Sequence, residues 1–192
     1  MNSQVYQLAA APNETNAEDD ANYSHALVRP LQAEQLLDAL AQVTGAPARF
    51  NGYPAGARAG ELPGIRGTGG RRSRPAPAEK FLKQFGKPER FLSCDCERSD
   101  ETTLGRAFQL ISGEVINGML SAADNRLGRL LAAGKSDGDI VDEFYYATWC
   151  RPPAPKEREA ALAFIAARKE RRAALEDFVW GLLNSKEFLL RQ

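Results

Sequence analysis

Between Pro30 and Gly45 the apolar positions Ala33, Leu36, Leu37, Leu40 and Val43 recur at steps of three and four, while Gln32, Gln35, Asp38 and Gln42 fill the places between them. A helix of 3.6 residues per turn puts the first set on one face and the second on the other, so a helix is predicted over 30–44. Pro30 suits its first turn, where a missing N–H costs nothing, and Gly45 suits the position just past its end. From Ser99 the same spacing returns. Leu104, Ala107, Phe108 and Ile111 form a stripe read as inward-facing, with Ser99 or Asp100 as N-cap. Gly113 interrupts it, and Ile116, Met119, Leu120, Ala123, Leu127, Leu130 and Leu131 carry a further helical pattern to Gly134. Ser136, with Asp139 three residues on, forms a capping-box pattern that opens a helix carrying Ile140, Val141, Phe144 and Tyr145. Arg151, Pro152 and Pro153 stop that helix after Cys150. A fifth helix runs from about Pro155 with Ala161, Leu162 and Ile165 inward. A sixth carries Leu175, Phe178, Val179 and Leu182, and a short tail docks Phe188.

No segment alternates apolar and polar residues as a half-buried strand does. The predicted class is therefore all-α: an irregular multi-helix bundle with a long Gly/Pro/Arg-rich loop and no significant sheet. Residues 1–28 read as an irregular acidic lead-in, 29–45 as a helix, 46–90 as a loop or linker and 91–192 as a helical bundle, all within one domain. The loop reading rests on "YPAGARAGELPGIRGTGGRRSRPAPAEK", which has little apolar surface to offset the entropy of ordering.

Composition narrows the function. Hydrophobic residues are 43% of the 192, enough for a sizeable core, and 25 basic residues balance 25 acidic ones. A net charge of zero argues against nucleic acid or an anionic membrane as partner, since both demand a basic excess. Arg66, Arg71, Arg72 and Arg74 accordingly read as a solvated basic loop before they read as phosphate contacts. No apolar run approaches the roughly 18 residues of a spanning helix, and the N-terminus lacks the order of a signal peptide. Three cysteines are too few for a disulfide scaffold, no Cys-x-x-Cys-His sequence attaches haem, and the spacing of the cysteines and the single histidine predicts no metal site.

Four segments, "VYQLAAAPNETNAEDDANYSHALVRPLQAEQLLDALAQVTG", "FLKQFGKPERFLSCDCERSDETTLGRAFQLISGEVIN", "LLAAGKSDGDIVDEFYYATWCRPP" and "LEDFVWGLLNSKEFLL", together resemble the C-terminal part of a large bacterial family of unknown function, the PSD family. Its members occur in planctomycete proteins beside a cytochrome-c-like domain. The resemblance implies an exported protein of the periplasm or cell envelope, haem bound only by an upstream domain, and a chain that starts within its domain as a fragment of a longer protein. Its implied partners are those upstream domains or other envelope proteins. One departure stands out. Where the family has a short, less basic connection, this chain has "ELPGIRGTGGRRSRPAPA", a local divergence or a compensated reading-frame slip.

Candidate chemistry gathers at two places. Cys94 and Cys96 stand one residue apart in a charged run, and Cys150 ends a predicted helix. Three readings remain open for them: small buried thiols; a disulfide, either between Cys94 and Cys96 in a small, strained and easily reduced ring or from one of them to Cys150 (permitted in an exported protein); and metal or redox chemistry. His25, Arg29, Glu97 and Arg98 are the candidate ligand-contacting residues, although His25 also reads as a structural hydrogen-bonder and Glu97 and Arg98 as members of surface ion pairs. Trp149 and Trp180 read as core or interface anchors. No catalytic residue is assigned. The leading expectation is a non-catalytic helical scaffold or interaction module of a larger envelope protein. The alternative is part of a redox or polymer-degrading enzyme whose active site needs an upstream half. A further expectation is self-association of the isolated chain, through a 30–44 stripe left incompletely covered.

Overall fold

The computed structural model describes residues 4–19, 21–63, 74–88 and 104–191. The first predicted helix forms as α1 (Ala33–Thr44), ended by Gly45 in the left-handed conformation at φ 64. It starts later than predicted. Pro30 belongs instead to a two-residue strand, β1 (Arg29–Pro30), paired antiparallel with β2 (Leu190–Arg191) in the register Arg29 to Arg191 and Pro30 to Leu190. Proline is tolerated in so short an edge pairing because one face of the ladder has no partner needing its N–H. The helix begins where Gln32 is extended and its N–H donates to Gln35 Oε1 at 3.3 Å.

Leu36, Leu37, Leu40 and Val43 are all buried. Helix α1 packs against α2 (Pro77–Gln84), α4 (Glu114–Ser121), α5 (Arg126–Ala132) and α6 (Asp137–Trp149). The expectation of an uncovered first stripe is thereby overturned: this stripe is the centre of the core.

Helix α2 lies inside the span read as loop. Pro77 opens it, Glu79 Oε2 accepts the Ala76 N–H at 2.9 Å, and Ala78, Phe81 and Leu82 are buried. Its eight residues were too short a run for periodicity to stand out. The preceding segment is also held in the core. Phe50 and Leu62 are buried, and Asp38 of α1 accepts the N–H groups of Ala59 and Gly60 at 2.7 and 3.0 Å, fixing a 3-10 turn at Ala59–Glu61.

The pattern from 116 to 131 resolves into α4 and α5, broken at Ala122. Buried Asn125 makes the corner: its side-chain oxygen accepts the Gly128 N–H at 2.7 Å, and its amide donates to the Met119 and Leu120 carbonyls at 3.0 and 2.7 Å. The later helices follow their signals. Helix α6 is capped by Ser136, whose Oγ accepts the Asp139 N–H at 3.1 Å. Helices α7 (Pro155–Ala166), α8 (Arg171–Leu183) and α9 (Lys186–Leu189) complete the bundle, with Ala161, Ile165 and Phe188 buried and Leu162 half-buried.

Helix α3 (Leu104–Ser112) departs most from expectation. Leu104, Phe108 and Ile111 are 74%, 59% and 56% exposed, so the stripe read as inward faces solvent. The predicted caps Ser99 and Asp100 lie outside the described residues. Apart from β1 and β2 the described residues are helix, turn or irregular, so the all-α class holds. No described helix is long and apolar enough to cross a membrane.

Candidate functional site

A concave, largely apolar surface lies where α6, α7 and α8 meet, and two tight turns shape it. In the first, Cys150 leaves α6 in the left-handed conformation at φ 55, and Arg151 folds back over the helix it follows. The Arg151 guanidinium sits 4.9 Å from the Trp149 ring centroid and 5.7 Å from that of Tyr145. It donates to both Glu157 carboxylate oxygens at 2.8 and 2.9 Å and to both of Glu187 at 2.8 and 3.0 Å. One side chain thus joins the ends of α6, α7 and α9. Glu157 also accepts the Ala154 N–H at 2.7 Å, capping α7. These bonds, those from Arg151 foremost, lower the Glu157 carboxyl to a pKa of about 2, and the same pairing raises that of Arg151. Burial pushes the Tyr145 hydroxyl up.

In the second turn Arg168 stacks 3.6 Å from the Phe164 ring centroid and pairs with Asp177 of α8 at 3.4 Å. Between the turns lies a groove of about 630 Å³ whose walls include Tyr145, Phe164, Phe178 and Trp180. Gly181 adds no side chain to it. Trp180 also closes one edge, since its indole N–H donates to the Ile111 carbonyl of α3 at 3.2 Å. The charged groups lining the groove are already engaged, Glu157 by Arg151 and Asp177 by Arg168. What the surface offers is aromatic and aliphatic contact, the ordinary chemistry of a binding site.

The residues singled out in the sequence fall elsewhere. Cys94, Cys96, Glu97 and Arg98 lie outside the described residues, as do Arg66, Arg71 and Arg72. Cys150 is an exposed free thiol among the described residues, and its N–H donates to the Tyr146 carbonyl at 3.1 Å. His25 is half-buried: Nδ1 lies 3.3 Å from the Ala26 carbonyl, and Nε2 is shielded from solvent with no hydrogen bond in the structure. Arg29 is exposed and contributes its backbone to the β1–β2 pair. No hydrogen bond or ion pair among the described residues joins His25, Arg29 and Cys150. Nor does any group of three or more His, Cys, Asp or Glu residues among them have the arrangement to hold a metal.

Sequence reasoning missed Arg151, Glu157 and Glu187. The available signal was a glutamate at the third position of the helix that Pro155 opens, where such a side chain reaches back to the chain entering the helix. It also missed Lys87, buried at 4% exposure, whose ammonium donates to the Ala59 and Leu62 carbonyls at 2.8 and 3.1 Å and lies 3.9 Å from Glu34. Arg126 of α5 likewise donates to the Val43 and Gln42 carbonyls at 2.9 and 3.1 Å, where the end of α1 presents partial negative charge, and pairs with Glu143.

No curated protein and no solved structure matches this chain. A family model does: the one described as PSD1, Protein of unknown function (DUF1553), matches residues 1–165 of the 192. That span takes in α1 through nearly all of α7, and with it one wall of the groove. The chain belongs to the PSD1 family of proteins of unknown function (DUF1553).

Proposed function

We propose that this chain is a non-catalytic helical interaction module of a larger, planctomycete-type envelope protein that also carries a cytochrome-c-like domain. The observation that carries the reading is a division of labour between side chains. The charged groups at the groove are spent on joining helices, Arg151 to Glu157 and Glu187, and Arg168 to Asp177. The open surface is apolar: the groove walls and the outward stripe of α3. Such surface loses free energy in water and regains it against a partner. The partners in this reading are the upstream domains of the same protein or other envelope proteins, with haem held upstream and not by this chain.

Titrating the chain with the cytochrome-c-type domain of a planctomycete relative, by calorimetry at several temperatures, tests the reading. Saturable binding with a negative heat-capacity change is expected. A panel of hydrolase and oxidoreductase substrates should show no turnover. Reproducible turnover that one polar substitution abolishes while the fold survives would overturn the reading. The exposed Cys150 thiol favours a second one, a part of a redox enzyme whose site is completed by an upstream half. In that case Cys150→Ser would abolish thiol-dependent electron transfer in the full-length, haem-loaded protein.

A further inference from the structure

We draw no further inference here: the strongest candidate, the aromatic groove between α6, α7 and α8 with the exposed α3 stripe beside it, carries nothing, because its charged groups are already paired within the chain and nothing in the structure shows what covers it.

Discussion

An ammonium taken out of water needs the hydrogen bonds that water supplied, and Lys87 finds them in carbonyls of the segment joining α1 to α2. Replacing it by methionine keeps the apolar stem and removes the donors, leaving the Ala59 and Leu62 carbonyls short of partners. Lys87→Met should lower stability by about 1–3 kcal/mol in urea unfolding at neutral pH. Glu157 makes a prediction with a pH signature. Its pKa is lowered from 4.5 to about 2 by Arg151, so the folded state binds its proton less readily than the unfolded chain. The stability it contributes is present above pH 4.5 and is lost as pH falls toward 2. Glu157→Gln should therefore be less stable than the parent at pH 7, with the gap in melting temperature closing across that window. The gap stays small because the pair is about a third exposed and water screens it.

Helix boundaries here are decided by single backbone approaches. At Gly128 an added Cβ would fall 2.0 Å from the Ala123 carbonyl oxygen, because Asn125 folds the α4–α5 corner tightly over the start of α5. At Gly118, within α4, it would meet nothing within 4 Å. The same substitution should thus act in opposite directions. Gly118→Ala should stabilise by about 0.5–1 kcal/mol, by cutting the freedom of the unfolded chain and favouring helix. Gly128→Ala should destabilise, since backbone must move to admit it. Denaturant midpoints of the two variants against the parent check both signs.

Across the whole molecule, α1 is the shared contact. It touches α2, α4, α5 and α6, and its Leu37 is fully buried. Leu37→Ala should cost about 2–5 kcal/mol, the range for opening a cavity in a close-packed core. Because the early and late helices meet on the same side chains, they should unfold together. Far-ultraviolet circular dichroism and the fluorescence of Trp149 and Trp180, which report on α6 and α8, should trace one coincident transition. Separate midpoints would show the α6–α8 end to be an independent unit.

The sequence alone determined whatever depends on neighbours within a turn or two. The stripe of α1, the left-handed stop at Gly45, the Ser136 cap, the proline start of α7 and the stop at Arg151 could all be read, because hydrogen bonding and steric limits over a few residues dictate them. Periodicity says which side chains share a helical face; it does not say what covers that face. The α1 and α3 stripes look alike on paper, yet one is the centre of the core and the other faces solvent. Tertiary structure alone made that choice. It likewise paired Arg29 and Pro30 with Leu190 and Arg191, and brought Arg151, Glu157 and Glu187 together from three segments. The groove was illegible for the same reason: its walls come from three helices, and no short window of sequence records how helices pack.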